Sequence, residues 1–223
     1  MRMHSAFVTE IERLAPSVLQ LTIALNDGDF SFEPGQWVNF RFPEGVSRAY
    51  TIASAPQRPE ALQLCVRVGE GKGGAALKNL AAGAEVSIEG PFGDFLLPDD
   101  VANPVVFLAG DTGIAPIRSI VLHMLATKDP RAITVLYEPD HRYILYAADF
   151  DPLARAGTIV HESGKIEGLI ARNRKAIAGS TIMAAGFDPF LARAMQALRE
   201  IDVDASKVIS ESFGAEPVVL RQS

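Results

Sequence analysis

Apolar and polar residues change their rhythm near the middle of the chain. Up to about residue 97 they come in short runs with much alternation: "SAFVTEIERL" (5–14), "SVLQLTIAL" (17–25), "QWVNFRF" (36–42), "AYTIAS" (49–54), "LQLCVRV" (62–68) and "EVSIEG" (85–90). A period of two puts alternate side chains on one face of a strand. Turn formers such as "NDGD", "EPG" and "PEG" separate the runs. Many short strands at this spacing predict an antiparallel barrel or sandwich. One helix interrupts them, "GAALKNLAAG" (74–83), closed by Gly83.

After "LPDDVANP" (97–104) continuous apolar runs alternate with helical ones. "VVFLAG" (105–110) reads as a buried strand and "IRSIVLHMLATK" (117–128) as a helix; "AITVLYE" (132–138) and "GTIVHES" (157–163) are strands. A helix over "KIEGLIARNRKAIAG" (165–179), a strand "STIMAAG" (180–186), a helix "FLARAMQALREI" (190–201) and a strand "KVISESF" (207–213) complete the series. Strands alternating with helices predict βαβ units and a doubly wound α/β domain on a parallel sheet. The boundary falls between Pro98 and Asn103, dividing the chain into 1–98 and 99–223.

Bulk composition narrows the function. The 223 residues suit one large domain or two smaller ones, and 48% hydrophobic content is enough for a real core. Net charge is −6 with both signs mixed along the chain, which does not suggest a nucleic-acid surface. No apolar run approaches the ~20 residues that span a bilayer, and the N-terminus "MRMHSAFVTEIERL" lacks the apolar stretch of a secretory signal. Cys65 is the only cysteine, so these residues hold neither an internal disulfide nor an iron–sulfur cluster, which takes about four thiolates. A reduced, cytoplasmic setting is the expectation. The four histidines, His4, His123, His141 and His161, are scattered without ligand spacing, so no metal site is expected.

Two glycine-rich turns carry the candidate chemistry. "AGDTGIAP" (109–116) joins a buried strand to a helix, where Gly110, Thr112 and Gly113 let backbone amides approach a phosphate and Pro116 suits an early helical position. Tight strand-to-helix turns also need glycine for purely structural reasons. "GEGKGGAAL" (69–77) opens the helix of the first half and makes a second anion cradle, with a loose hairpin as the alternative. Between them stands "RAYTIASAP" (48–56). On a strand Arg48 and Tyr50 share a face and Thr51 takes the other. Arginine supplies a forked donor for phosphate, tyrosine a flat surface for a ring, and threonine a hydroxyl for a ring nitrogen. Tyr50 and Thr51 as plain barrel-surface residues are the alternative.

Taken in order, "RAYTIASAP", the glycine turn before "AALKNL", "GPFGDFLL", "AGDTGIAP", "LYEP…ILYAADF", "AAGFDP" and "SESF" resemble the ferredoxin–NADP reductase superfamily over nearly the whole chain. The resemblance implies an N-terminal flavin-binding β-barrel and a C-terminal nicotinamide-nucleotide domain. The flavin would lie between them, its N5 taking hydride from NADH or NADPH. It names FAD as cofactor, with FMN as the alternative. Arg48 would bind the flavin phosphate, Tyr50 pack on the isoalloxazine and Thr51 lie close to N5; Ala49 and the backbone of Ile52, Ala53 and Ser54 would line the site. Gly73, Gly74, Ala75 and Ala76 would cradle the pyrophosphate. Gly110, Thr112, Gly113 and Gly186 would receive the nicotinamide dinucleotide, and Phe213 matches an aromatic placed late in the chain near the flavin, with an ordinary core role as the alternative.

The chain also departs from the pattern of its relatives. Ala76 stands where many carry Ser or Thr, Asp111 where glycine is common, and Ala185 where many have cysteine before Gly186. Asp111, which a phosphate would repel, is expected to point away or to cap the following helix. Glu138 and Asp140, just after "AITVLY", suit a free ribose 2′-hydroxyl better than a 2′-phosphate, with Arg142 close behind. The function implied is a flavoprotein oxidoreductase passing electrons from NAD(P)H to a separate acceptor: a ferredoxin, an oxygenase component or a small molecule. A non-catalytic nucleotide-binding or docking subunit and a reductase of free flavin or ferric chelates are the alternatives.

Overall fold

A computed structural model describes residues 2–26, 30–57, 61–100, 102–140 and 143–215. Contacts divide them into two units, one holding the chain up to Leu97 together with Arg118–His123, the other Pro98–Ile117 and the chain from Met124 on.

The first unit is a closed antiparallel barrel. Its strands are β1 (Met3–Ala15), β2 (Val18–Leu25), β3 (Trp37–Arg41), β4 (Ser47–Ile52), β5 (Leu62–Arg67) and β6 (Glu85–Phe92), arranged β1-β2-β5-β4-β3-β6. Closure pairs β1 with β6 and leaves no open edge. Alternation decides the inside: His4, Ala6 and Val8 of β1 are buried while their neighbours face out. The interior is filled by Leu21, Ile23, Val38, Phe40, Ile52, Leu64 and Ile88, all fully buried. Each such side chain contributes about 1.5–3 kcal/mol through removal from water. Cys65 is buried in β5. The helix α1 covers Gly71–Asn79, not the expected 74–83. It stops early because Leu80 turns extended and packs on the barrel core, so Gly83 belongs to the turn before β6.

The second unit carries a five-stranded parallel sheet, ordered β11-β10-β7-β8-β9. Its strands are β7 (Val105–Gly110), β8 (Ile133–Glu138), β9 (Val160–Ser163), β10 (Thr181–Gly186) and β11 (Ile209–Ser212). The helices following β7 to β10 in the chain are α2 (Ile114–Ala126), α3 (Ala147–Arg155), α4 (Ile166–Arg172), α5 (Arg174–Ile177) and α6 (Asp188–Glu200). Val106, Leu108, Leu136, Ile182 and Ala184 of the sheet pack with Ile166, Leu169 and Ile170 of α4 and Phe190, Ala194 and Leu198 of α6. The chain lays down β7, β8 and β9 in one direction, then crosses to β10 and β11 on the other side of β7. The topological switch therefore lies between β7 and β10, and ligands of such sheets bind at the carboxyl ends of the strands there.

Two elements differ from the sequence expectation. The helix expected over 165–179 is two helices, broken at Asn173, where the backbone leaves helical geometry at φ −98° and ψ 17°. Helix α3 was not expected at all; it opens from Tyr146 in a left-handed conformation and contains Pro152. Among the described residues no helix is long and apolar enough to cross a membrane.

Candidate functional site

In the first unit β4 brings the predicted residues into one row. Arg48, Tyr50 and Ile52 share the parity that faces the barrel core, and Ala49 and Thr51 take the other. The Tyr50 ring packs 5.8 Å from Phe40 and 6.3 Å from Phe42. Burial pushes the Tyr50 hydroxyl well above the usual tyrosine range, only partly opposed by the Arg48 charge. It keeps its proton at any physiological pH and acts as a donor, never a base. Thr51 is half-buried and lies opposite Trp37 and Cys65 in the ladder.

Arg48 is exposed, donates to Ser47 O at 2.8 Å, and has no carboxylate partner among the described residues. Its side chain lies against the start of α1: a β-carbon built at Gly73 would stand 2.7 Å from Nε. An unneutralised guanidinium beside the amino end of a nine-residue helix concentrates two positive features on one spot, which suits an anion. This fits a flavin phosphate. Gly74 and Gly73 are buried there and Ala75 is exposed. The Ala76 methyl belongs to the barrel core, so only its backbone remains to face a ligand.

Beyond β4 the chain from Ile52 to Ala55 is buried and its polar backbone is tied on every side. Ile52 N donates to Gln36 O, Ala53 N to Gln63 O, and Ser54 Oγ accepts from Gln63 N. Within the same unit Arg118 donates to Ala53 O at 2.7 Å and to Gln63 Oε1 at 2.9 Å, and Ser119 Oγ donates to Ser54 O at 2.7 Å. Arg118 is only 8% exposed. These two residues escaped the sequence reading, although "IRSI" set a charged and a polar residue inside an apolar helix and was the signal for them.

In the second unit the switch point gathers the other candidates. Gly110 ends β7 and pairs in register with Glu138, the last residue of β8. A β-carbon at Gly110 would run into the Phe190 ring of α6, and one at Gly113 into the carbonyl of Ala185. Close packing of the chain on itself therefore accounts for both glycines, and the same bareness exposes the amides ahead of α2. Thr112 is buried in this turn, and Asp111 takes φ 49°, a left-handed conformation. The residue at the cap of that short turn is Gly110, in extended backbone. Gly186 accepts a hydrogen bond from Phe213 N at 3.0 Å, and the half-buried Phe213 ring meets Phe187 edge-on at 5.8 Å.

Glu138 is the most heavily bonded of the predicted residues. Oε1 accepts from Arg193 Nη2 at 2.6 Å and Lys165 Nζ at 3.3 Å; Oε2 accepts from Ile166 N at 2.7 Å and Arg193 Nη1 at 3.2 Å. Burial alone would raise its pKa, but the Arg193 bonds and the Ile166 N–H outweigh it and hold the carboxyl below the usual range. Asp140 is half-buried, while Arg142 and His141 lie outside the described residues.

Residues 5–96 match the oxidoreductase FAD-binding domain. The chain is 35% identical over 159 residues to ferredoxin–NADP reductase B of Sorangium cellulosum, covering 67% of this chain and 64% of that protein. The chain belongs to the ferredoxin–NADP reductase superfamily. Among other members, the reductase component of phenol 2-monooxygenase from Pseudomonas sp. is 35% identical over 154 residues, 66% of this chain and 42% of that one. The ferredoxin–NADP+ reductase of Plasmodium falciparum shares the superfamily fold at TM-score 0.79 and 19% identity, over 94% of this chain and 95% of that one. The chain thus spans 42% and 64% of the lengths of the two curated relatives named.

Proposed function

We propose that this chain is a flavin-dependent NAD(P)H oxidoreductase that passes electrons to a separate acceptor, with residues 1–98 as the FAD domain and 99–223 as the nucleotide domain. The observation that carries the reading is the Arg48 guanidinium, without a carboxylate partner among the described residues, lying over Gly73 at the start of α1. FAD, when bound, accepts hydride as an electron pair and can release electrons singly. The residues of this chain bind and orient. Arg48 and the amides from Gly73 to Ala76 hold phosphate, Tyr50 offers a ring face with its proton fixed, and Thr51 offers a hydroxyl near a ring nitrogen. Ala49 and the segment Ile52–Ser54 line the ring through a backbone that Gln63, Arg118 and Ser119 hold still. Gly110, Thr112 and Gly113 receive the dinucleotide, with Gly186 and Phe213 beside them.

The acidic Glu138 and Asp140 favour NADH. Both curated relatives named above are reductases, one of them a component of an oxygenase system. The acceptor proposed is accordingly a ferredoxin or an oxygenase component, since one cysteine within these residues cannot hold a cluster. A cytoplasmic location fits a sequence with a single cysteine. The test is a visible spectrum of the purified protein followed by anaerobic NADH, then NADPH. A yellow protein bleached faster by NADH supports the reading; a colourless protein that refuses both FAD and FMN ends it.

A further inference from the structure

Arg193 reaches from α6 to the end of β8, forking onto both Glu138 oxygens, and its Nη1 also donates to Glu167 of α4 at 2.9 Å. Because Glu138 pairs with Gly110, this cation stands at the carboxyl end of the strand next to the glycine turn. That edge of an open parallel sheet is where a dinucleotide's ribose arrives. A planar guanidinium is well matched to phosphate oxygens, so the chain already owns a cation of the kind a 2′-phosphate needs. Two carboxylates hold it instead. Counting Lys165, which is 81% exposed, the four charges of Glu138, Glu167, Lys165 and Arg193 cancel.

We propose that Glu138 and Glu167 form a carboxylate lock on Arg193, and that this lock, rather than the lack of a cation, is what turns away a 2′-phosphate. The inference rests on the nucleotide-site reading above. A 2′-phosphate must either displace the carboxylates or sit beside them, and both are unfavourable. Displacement is resisted because Glu138, its side chain 11% exposed, also satisfies Ile166 N at the start of α4. A 2′-hydroxyl is neutral, needs no cation of its own and leaves the pairs to Arg193 in place. Glu138 is therefore a positioning residue that sets specificity through Arg193.

The experiment measures equilibrium binding of 5′-AMP and adenosine 2′,5′-bisphosphate to the full chain and reads the ratio of the two Kd values. Glu167→Gln, which touches a half-exposed side chain, should shift the ratio about threefold toward the bisphosphate, and Glu138→Gln with Glu167→Gln about tenfold. Adding Arg193→Gln should erase the shift, and raising salt should shrink it. An unchanged ratio in both variants, with 5′-AMP still bound, overturns the lock while leaving the nucleotide site standing. A shift that survives Arg193→Gln overturns it too, by assigning the discrimination to another cation. Wild-type protein that binds neither nucleotide overturns the nucleotide-site reading, and the lock with it.

Discussion

Arg48 and Gly73 are 25 positions apart in the chain, yet a β-carbon on the glycine would come within 2.7 Å of the arginine Nε. The strand motif and the glycine turn thus form one cradle, with a cation on one side and helix amides on the other. Arg48→Ala removes a charge-assisted contact of about 1.5–3 kcal/mol to the flavin phosphate. FAD affinity should fall by roughly 10- to 150-fold in a fluorescence titration, with circular dichroism unchanged because the side chain is exposed and its hydrogen bond goes to the neighbouring Ser47 O. Unaltered affinity would remove Arg48 from the site. Gly73→Ala tests the same cradle from its other wall. The added methyl should push the guanidinium aside and weaken FAD binding without touching the charge.

Arg118 makes a different kind of contribution. It is almost wholly buried, and its bonds to Ala53 O and Gln63 Oε1 fix the segment proposed to line the flavin. Arg118→Met should leave these acceptors without that donor and lower stability by about 3 kcal/mol. Arg118→Lys keeps the charge but not the planar geometry that places Nη1 between the two acceptors, and should fall between wild type and the methionine variant. Thermal melts with and without FAD check this. If the methionine variant melts like wild type, the bonds hold nothing in place.

Asp111 sits at φ 49°, in the left-handed region, within the turn between β7 and α2. Left-handed backbone costs a residue with a β-carbon about 1–2 kcal/mol, less for Asp and Asn. Comparing Asp111→Gly with Asp111→Ala isolates this cost, since both variants lose the carboxylate equally. The glycine variant should be the more stable by about 1 kcal/mol. Equal stability of the two variants would show that the turn relaxes when the side chain changes.

Local pattern carried most of the architecture. "VVFLAG" is β7 residue for residue, because a fully apolar run ended by glycine has one reading in an α/β half. Helix α3 was hidden by Pro152 and by a left-handed entry at Tyr146, neither of which a periodic signal reveals. The break at Asn173 is a local change of backbone dihedrals that apolar periodicity does not register. For the site, residue types were legible and partners were not. Glu138 was readable as an acidic residue at a strand end, but its donors come from Lys165, Ile166 and Arg193, which only the fold brings together.

Two groups in the second unit should give stability two separate acid limits. His161, 5% exposed in its side chain, lies 5.1 Å from the Phe150 ring, and its Nε2 is buried without a hydrogen-bond partner among the described residues. Burial holds its pKa below the usual histidine value, against a weaker upward pull from Asp151 at 3.7 Å. The folded state thus binds a proton less readily than the unfolded chain. Stability from this group is complete above about pH 6.5 and is lost as pH falls below that toward the folded pKa. His161→Phe removes a titrating group without opening a cavity and should flatten the stability profile just below about pH 6.5. Glu138 acts lower down. Its folded pKa is also depressed, so its contribution is present above about pH 4.3 and disappears as pH falls through the folded value. Urea melts from about pH 7 to 3 should show the upper slope vanish in His161→Phe and the lower one weaken in Glu138→Gln. An upper slope that persists in the phenylalanine variant would mean that another group titrates there and that His161 does not set the limit.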